Sequence, residues 1–493
     1  MAKDLDRKVL IIGAGIGGLS MGIILARLGF EVTVLEKNRH PGGLMRSYTR
    51  EGVDCEVGIH YLGSLDKGQV LRKFFDYLGV SGAIPVTRMG QSGVIDRYVF
   101  DSPDVHPQNF DLPEGMDGFS ENLHQAFPAH GSAIRQLMAA LRKAADQLHG
   151  LDLLYATESD LSILDQFQPL GEILDTLHCP PGLRGILAVT ASWIGVPLDD
   201  CPAFYHNMTL ASYISSSWRL DCSGAVMAEA VAGRLGQLGG KIITDAEVSH
   251  IEVSSRKVTG LRLHSGELLP AGLVIGAVHP KIILDMLPPG AVKPSYRQRI
   301  TGLRDTHGVF SVHASINGRT HPELPYNLFK ISTDRAGNVQ DLKYYQIRRS
   351  SRKDVSVLSV LTSGKNELWQ PWEKTTTGRR GRAYMDAKEE HARQLIGEAQ
   401  DMLGSFRDLR MLDVSTPLSL RDWVGSPGGS AYGVQRSSSQ MLAATLLNRT
   451  AVQGLYLAGQ NVIAPGIIGA ITGSFHTAKL ILGVDEFRRQ VQL

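Results

Sequence analysis

The segment KVLIIGAGIGGLSMGIILARLGFEVTVLE, residues 8–36, decides the fold of this chain. Its apolar start predicts a buried parallel strand, because such strands are covered on both faces. A glycine turn, a helical stretch, a second strand and Glu36 follow in order. This order is typical of the βαβ unit that binds an adenine dinucleotide, and it argues against the alternative of a glycine turn without a ligand.

Each part of this unit has a physical role in holding a pyrophosphate. In the G-x-G-x-x-G pattern, Gly13 allows the tight turn, Gly15 lets the backbone approach the phosphates, and Gly18 lets the helix pack closely on the strand. The free N–H groups at the helix N-terminus favour an anionic ligand. Glu36 follows the second strand, where a carboxylate can accept hydrogen bonds from both ribose hydroxyls.

The charge balance sets limits on the partners of the chain. Among its 493 residues, 51 are Lys or Arg and 49 are Asp or Glu. This near-neutral balance gives no electrostatic footprint for nucleic acid. Two segments, 347–354 and 378–382, are locally basic. We favour solvated loops for both, with contact to an anionic membrane surface as the alternative.

The cysteines and the hydropathy pattern indicate the cellular compartment. Cys55, Cys179, Cys201 and Cys222 are widely spaced and predict neither a disulfide framework nor a zinc site. We recognise no signal peptide and no uninterrupted apolar run of about 18 residues. We therefore expect a cytoplasmic protein, soluble or peripherally bound to a membrane, and no metal.

The α/β pattern recurs in separated parts of the chain. We expect a discontinuous dinucleotide-binding domain with a second, α+β domain inserted; the first comprises residues 1–105, 215–300 and 430–493, and the second 106–214 and 301–429. Within the inserted parts, residues 131–149 predict an amphipathic helix and residues 308–362 predict strands. The glycines at 233–240 end a helix rather than follow a strand, so we expect no separate NAD(P) domain.

Further glycine-containing blocks carry a resemblance to a known family. PGGLMRS occupies residues 41–47, VDCEVGIHYLG occupies 53–63, and GLYLAGQNVIAPGIIGA occupies 454–470. Together with the first glycine motif, these blocks resemble the FAD-dependent phytoene desaturase superfamily. The resemblance is strongest to its retinol saturase and carotenoid isomerase branch and extends over nearly the whole chain.

This resemblance implies the cofactor, the fold and a set of binding residues. The cofactor is FAD, and the fold is an FAD-binding Rossmann-like domain of the glutathione reductase type 2, or amine oxidase-like, class with an inserted substrate domain. The residues implied for FAD binding are Gly13, Gly15, Ile16, Gly17, Gly18, Glu36, Lys37, Gly42, Gly43, Leu44, Arg46, Ser47, Gly58, Ile59, His60, Val248, Gly459, Gln460, Asn461, Gly466, Ile467, Ile468 and Ala470.

Two positions depart from the family pattern. Asn461 stands where the family usually has Asp, which puts one hydrogen bond to the cofactor in doubt. The glycine-rich segment before the central helix is LDCSG, residues 220–224, and keeps one glycine, Gly224.

The resemblance places His60 and Tyr61 near the isoalloxazine as the candidate catalytic residues. They would shape the flavin site or supply a proton; in the alternative, His60 only hydrogen-bonds the backbone. We assign a structural role to His279 and a packing or surface role to His476. Trp369 and Trp372 either line an apolar tunnel or pack in the core or on the surface.

The resemblance implies an FAD-dependent oxidoreductase that acts on the carbon–carbon bonds of a lipophilic polyene, isoprenoid or acyl chain. Desaturation, saturation and cis–trans isomerisation by hydride transfer with flavin N5 share such a site. The electron partner is oxygen, a quinone or a reduced cofactor. The alternatives are an FAD-dependent amine oxidase and a non-catalytic prenyl-binding escort protein on the same fold.

Overall fold

A computed structural model describes residues 7–103, 105–155 and 167–493 of the protein. Its strands are β1 Lys8–Ile12, β2 Glu31–Leu35, β3 Ser47–Arg50, β4 Val53–Glu56, β5 Leu62–Gly63, β6 Val86–Arg88, β7 Asp96–Phe100, β8 Asn109–Leu112, β9 Ser217–Leu220, β10 Lys241–Ile243, β11 Val248–Ser254, β12 Lys257–Leu263, β13 Leu268–Pro270, β14 Leu273–Gly276, β15 Val309–Asn317, β16 Asn327–Thr333, β17 Val339–Arg349, β18 Val355–Ser363, β19 Arg410–Ser415 and β20 Leu455–Leu457.

The helices connect and cover these strands. They are α1 Ile16–Arg27, α2 Val70–Leu78, α3 Met116–Ala126, α4 Gly131–Gly150, α5 Asp152–Tyr155, α6 Leu170–Thr176, α7 Pro181–Ile194, α8 Ala203–Ser215, α9 Gly224–Gln237, α10 Pro280–Asp285, α11 Pro294–Thr301, α12 Asn366–Trp369, α13 Gly381–Leu403, α14 Pro417–Val424, α15 Met441–Ala444, α16 Gly466–Leu482 and α17 Val484–Gln490. The helix predicted over 131–149 and the strands predicted over 308–362 are therefore confirmed.

A parallel sheet in the order β10-β2-β1-β14-β20 contains the N-terminal unit. Each neighbouring pair of strands is parallel, and the apolar residues of β1 are almost completely buried. Helices α1, α9 and α16 pack together beside this sheet. Because β20 and α16 come from the last forty residues of the chain, the sheet brings the two ends of the sequence together. The predicted α/β fold is confirmed.

A second sheet in the order β19-β15-β18-β17-β16-β7-β8 lies between two sets of helices. Side chains alternate between its faces, as strand geometry requires. Tyr344 of β17 packs with residues of α3, α4, α7 and α8, whereas the next residue, Tyr345, packs with residues of α13. The face that carries Tyr344 is the one that contributes to the site described below.

The domain division drawn from the sequence stays a prediction. Within it, the pairing of β7 with β16 places Asp96–Phe100 in the second sheet, although the division assigned these residues to the dinucleotide domain. Among the described residues, no single helix is long and apolar enough to cross a membrane. Helices α16 and α17 meet that test of length and composition only as a pair, which is bent by 119°.

Candidate active site

The first glycine turn is as compact as its sequence requires. Gly13 has a φ of +97°, which favours glycine, and a Cβ on Gly18 would overlap the Gly13 carbonyl oxygen. A Cβ on Gly15, in contrast, would have nothing within 4 Å. Gly15 therefore leaves open space above the turn, on the side where a pyrophosphate would lie.

The second glycine segment lies directly against the first. The Gly42 backbone N–H donates to the Ala14 carbonyl at 2.7 Å, and Gly42 forms an isolated parallel bridge with Gly15. Gly42 and Gly43 have φ values of +125° and +55°. A Cβ on Gly43 would lie 3.1 Å from the Gly15 Cα, so this close approach needs glycine on both sides.

The C-terminal segment completes the same site. A Cβ on Gly17 would lie 2.5 Å from the Gly459 Cα, and the Ser474 hydroxyl of α16 donates to the Gly17 carbonyl at 2.8 Å. Helix α16 begins at Gly466, next to the residues predicted to hold the flavin end of the cofactor. Segments separated by more than 400 residues in sequence thus meet around the N-terminus of α1.

One cavity of about 840 Å³ extends along these segments. Most of the residues predicted for the site line it: Gly13, Gly15, Ile16, Gly17, Glu36, Lys37, Gly42, Gly43, Leu44, Gly58, Ile59, His60, Tyr61, Val248, Gly459, Gln460, Asn461, Gly466, Ile467, Ile468 and Ala470. The structure therefore brings together residues that the sequence analysis grouped by the first glycine motif and by resemblance.

Gly18, Arg46 and Ser47 are outside the cavity wall. Gly18 is packed against Gly13, and the Ser47 hydroxyl accepts from the Ala225 N–H at 3.2 Å. The Arg46 guanidinium donates to the Gly43 carbonyl at 3.3 Å, and burial lowers its pKa against the opposing effect of Glu36. Cofactor contacts by these three residues stay predictions.

Glu36 is fixed in place before any ligand binds. Its side chain is buried and accepts from the Ala14 N–H at 2.9 Å. Its other carboxylate oxygen accepts from the backbone and side-chain nitrogens of Asn38, at 3.0 and 2.7 Å. A carboxylate has about four acceptor positions, so Glu36 retains capacity for ribose hydroxyls.

The two departures from the family pattern have local explanations. The Asn461 side-chain oxygen accepts from the Val434 N–H at 2.9 Å, so this amide supports the neighbouring loop while it lines the cavity. Gly224 is the retained glycine of residues 220–224, and a Cβ there would overlap the Met45 carbonyl. Its N–H donates to Glu56 at 3.0 Å. The retained glycine therefore lies where the neighbouring backbone leaves no room for a Cβ.

His60 is a neutral imidazole whose ring nitrogens have no hydrogen-bond partner in the described part of the chain. Both ring nitrogens are buried and unpaired, and only its backbone carbonyl is engaged, by Gln346 at 3.1 Å. Burial, with smaller effects from His313 and Arg348, lowers the pKa of His60 to about 3. The alternative of a ring that only hydrogen-bonds the backbone therefore does not describe this residue. Its nitrogens are available to a ligand in the cavity.

Tyr61 lines the same cavity, and its hydroxyl donates to Asp96 at 3.1 Å. Burial is the main reason why the pKa of Tyr61 is well above its ordinary value, and the charge of Asp96 adds to it. Tyr61 is thus a protonated phenol, and its bond to a buried carboxyl group was not foreseen from the sequence.

An aromatic cluster on the cavity wall also escaped the sequence analysis. Ring centroids of Tyr61 and Tyr213 are 4.5 Å apart, and Trp193 lies 5.3 Å from Tyr213 and 5.8 Å from Phe329. Tyr344 lies 5.1 Å from Phe329 and 5.4 Å from His60. The Trp193 indole nitrogen is buried without a partner. The edges and faces of these aromatic rings favour an apolar or conjugated ligand.

The remaining candidates differ in position, because His279 lines the cavity whereas His476 and the two tryptophans do not. The His279 ring accepts from the Lys281 N–H at the start of α10 and contacts Asp305 at 2.9 Å. His476 is outside the cavity wall, and its burial lowers its pKa to about 3. Trp369 stacks on Phe310 at 5.5 Å, and neither Trp369 nor Trp372 lines the cavity.

The residues present fit an FAD molecule. The cavity is lined by the uncovered glycine turn and by His60 and Trp193, whose ring nitrogens have no hydrogen-bond partner among the described residues. Buried polar atoms are normally satisfied, so these atoms indicate a bound group. Among the described residues, no group of three or more His, Cys, Asp or Glu side chains is arranged to hold a metal.

The fold and this cavity define an FAD-dependent oxidoreductase. The chain belongs to the family described as flavin containing amine oxidoreductase, whose profile matches residues 16–482. The family, the fold class and the cofactor predicted from the sequence are thereby confirmed.

Curated relatives lie in the branch that the sequence resembled. An all-trans-retinol 13,14-reductase from Danio rerio is 22% identical, with 97% of this chain and 86% of the relative covered. A 4,4'-diapophytoene desaturase from Methylomonas sp is also 22% identical, with 88% and 87% covered.

Solved structures agree with this fold. An oxidoreductase from Methanosarcina mazei superposes with a TM-score of 0.65 at 15% identity, covering 96% of this chain and 100% of the other. A fatty acid isomerase from P. acnes, described as producing CLA, gives a TM-score of 0.61 at 15% identity, covering 97% and 99%. At these identities the likeness concerns the fold alone.

Proposed function

We propose that this flavoprotein acts on carbon–carbon bonds of a lipophilic, conjugated substrate by desaturation, saturation or cis–trans isomerisation. The observation that carries the proposal is the single cavity that joins the glycine motifs to the aromatic cluster of Tyr61, Trp193, Tyr213, Phe329 and Tyr344. An apolar chain would lie along this cluster with one bond next to the flavin end. The relatives named for retinol and diapophytoene, two polyenes, support the same substrate class.

The chemistry divides between cofactor and protein. When bound, FAD supplies two-electron redox chemistry by hydride transfer at N5. The protein would bind and orient the polyene and exclude water from it. His60, held neutral by burial, would shape the flavin site without adding a positive charge, and Tyr61 would hold or move a proton at its hydroxyl. Electrons would be exchanged at this cavity with oxygen, a quinone or a reduced cofactor.

The test uses purified protein loaded with FAD under anaerobic conditions. All-trans-retinol, 4,4'-diapophytoene and linoleic acid are mixed separately with the oxidised and the dithionite-reduced protein, and absorbance reports flavin and polyene together. We expect flavin redox change or isomerised product with at least one of the three. The matched variant is Trp193→Ala, which removes a ring of the aromatic cluster and should raise KM about tenfold or more while FAD binding is retained.

Amine oxidation is the second candidate, and the same aromatic cluster favours it. Tyr61 and Tyr213 lie with ring centroids 4.5 Å apart on the cavity wall, and paired aromatic rings also bind cationic or neutral amines. Putrescine and cyclohexylamine are therefore included in the panel. Flavin reduction by the amines alone would overturn the carbon–carbon assignment. Bound FAD argues against the escort alternative, and a colourless protein that cannot be reconstituted with FAD would overturn both enzyme assignments.

We also propose contact with an anionic membrane surface, on a patch other than the basic segments predicted from the sequence. In those segments, Arg348 pairs with Glu56 and Arg380 pairs with Asp422. Leu442 and Leu446, in contrast, are 81% and 71% exposed. Arg449 is exposed beside them, and Arg299 donates to the Ala443 carbonyl. Apolar side chains flanked by arginines suit the boundary between acyl chains and acidic headgroups.

A further inference from the structure

A buried hydrogen-bond network lies behind Tyr61. The Tyr61 hydroxyl is 3.1 Å from Asp96 Oδ2, and the Asn327 side-chain nitrogen is 2.7 Å from Asp96 Oδ1. Asp96 begins β7 and is 0% exposed, as is Asn327. Tyr61 is the member of this trio that lines the cavity. The carboxyl group therefore reaches the substrate space only through the tyrosine.

The orientation of the Asn327 amide is fixed by its other neighbours. Its side-chain oxygen accepts from Arg219 at 2.9 Å, from Tyr344 at 3.0 Å and from Gln346 at 3.1 Å. A guanidinium donates and never accepts, so the atom that faces Arg219 must be the amide oxygen. The amide nitrogen of Asn327 consequently faces Asp96 as a donor.

This orientation determines where Asp96 can carry a proton. Oδ1 accepts the Asn327 N–H and stays an acceptor in both protonation states. Oδ2 is left to carry the proton, and its partner is the Tyr61 hydroxyl. When Asp96 is ionised, the Tyr61 proton is directed at Oδ2. When Asp96 is protonated, the direction of this hydrogen bond reverses, and the Tyr61 proton is released towards the cavity.

We propose that Asp96 is a positioning residue that turns the Tyr61 hydroxyl into the proton donor for saturation of a substrate double bond. This rests on the proposed function and specifies its reductive direction. One alkene carbon receives a hydride, with both electrons supplied by reduced FAD, and the other receives the Tyr61 proton. The Asp96 proton moves to the Tyr61 oxygen, and the Asp96 carboxylate later regains a proton from water. The double bond thus gains two hydrogens, and a two-electron reductant restores the cofactor.

The ionisation of Asp96 falls in an accessible pH range. Burial raises the pKa of Asp96 to about 7, against the opposing effects of Asn327, Tyr61 and the positive charge of Arg219. Tyr98 on the same strand, Tyr213 of α8 and Tyr344 of β17 also face its charge, and the pKa of each of them is raised. Saturation by this route should therefore slow as pH rises through about 7.

The first experiment compares pH profiles of single-turnover saturation. The FAD-loaded protein and the variants Asp96→Asn, Tyr61→Phe and Tyr98→Phe are reduced with dithionite and mixed with all-trans-retinol between about pH 5 and pH 9. Tyr98→Phe is the matched control, because the Tyr98 hydroxyl is buried on the strand of Asp96 without a partner. Wild type and Tyr98→Phe should slow about tenfold per unit above pH 7.

The two test variants should depart from this profile in different ways. Below about pH 6, Tyr61→Phe should be roughly a hundredfold slower than wild type, and its rate should not fall as pH rises through about 7, because it lacks the proton that Asp96 controls. In Asp96→Asn, the new amide nitrogen donates permanently to Tyr61 and cannot ionise, so the profile should become flat. An Asp96→Asn profile that still falls near pH 7 would overturn the proposal, as would a Tyr61→Phe rate equal to that of wild type below about pH 6.

A second measurement does not depend on turnover. The infrared carbonyl band of a protonated carboxylic acid should titrate near pH 7, disappear in Asp96→Asn and shift in Tyr61→Phe, with Tyr98→Phe unchanged. The difference spectrum against Asp96→Asn removes the contribution of Glu56, whose pKa burial also raises to about 7. If the frequency of the band is the same in Tyr61→Phe as in wild type, the proposed coupling between Asp96 and Tyr61 is refuted. If neither wild type nor any variant saturates retinol while the band behaves as expected, the assignment of retinol saturation fails and the proton coupling between Asp96 and Tyr61 stands.

Discussion

A side chain on Gly17 would collide with Gly459, because its Cβ would lie 2.5 Å from the Gly459 Cα. The first residue lies in the first turn of α1 and the second in the loop before α16. Real Cβ atoms do not approach backbone carbon this closely, so the contact holds the two ends of the chain in register only while Gly17 is glycine.

The variant Gly17→Ala should therefore unfold more easily than wild type. Backbone on both sides of the contact must shift, and overpacking of this kind costs about 1–3 kcal/mol. Urea denaturation of the apoprotein measures the loss directly. A denaturation midpoint equal to that of wild type would show that the start of α1 and the loop before α16 can move apart without loss of stability.

Gly15→Ala is the matched substitution two residues earlier, and it should affect the ligand rather than the fold. Its φ of −73° suits alanine, and the new Cβ would have nothing within 4 Å. Gly15 is the N-cap of α1, so alanine should cost at most about 1 kcal/mol of stability. The methyl group enters the space expected for the pyrophosphate, and FAD affinity should fall about tenfold or more. Fluorescence titration of the apoprotein with FAD measures this affinity. An unchanged affinity would show that the pyrophosphate does not lie next to Gly15.

The glycine segments were predictable because their constraints are local. Gly13, Gly15 and Gly18 each meet a steric requirement of a single turn, and the spacing of these residues in the sequence reveals that requirement. Gly42, Gly43 and Gly466 were found through resemblance, and the structure places them at the same cavity.

The aromatic cluster and the Asp96 network were not predictable because they depend on non-local pairing. Trp193 ends an apolar helix whose pattern is the same for a core and for a cavity wall. Asp96 lies 231 residues from Asn327 in sequence, and they meet because β7 pairs with β16. A single sequence contains no signal for which strands become neighbours in a mixed sheet.

His476 should make the protein less stable in acid. Burial holds its folded pKa at about 3, below the ordinary value of 6.5, so the unfolded chain binds a proton first as pH falls. Stability should fall below about pH 6.5, by up to about 1.4 kcal/mol per pH unit from this residue. Urea denaturation of His476→Gln should show a flatter acid limb than wild type. His250→Gln is the control, since His250 is exposed. Equal acid limbs in wild type and His476→Gln would contradict the prediction.

The exposed pair Leu442 and Leu446 should mediate binding to acidic vesicles. Each leucine that leaves water for the acyl boundary contributes up to about 1.5–3 kcal/mol, so Leu442→Ser with Leu446→Ser should weaken binding roughly a hundredfold. Flotation with phosphatidylserine vesicles measures this, and added salt should weaken wild-type binding because Arg299 and Arg449 contribute electrostatically. Leu268→Ser is the control, because Leu268 is 51% exposed on β13, a strand separate from this patch. If the double variant binds vesicles as tightly as wild type, these two leucines are not the contact surface. If wild type itself does not float with the vesicles, the proposed membrane contact is excluded.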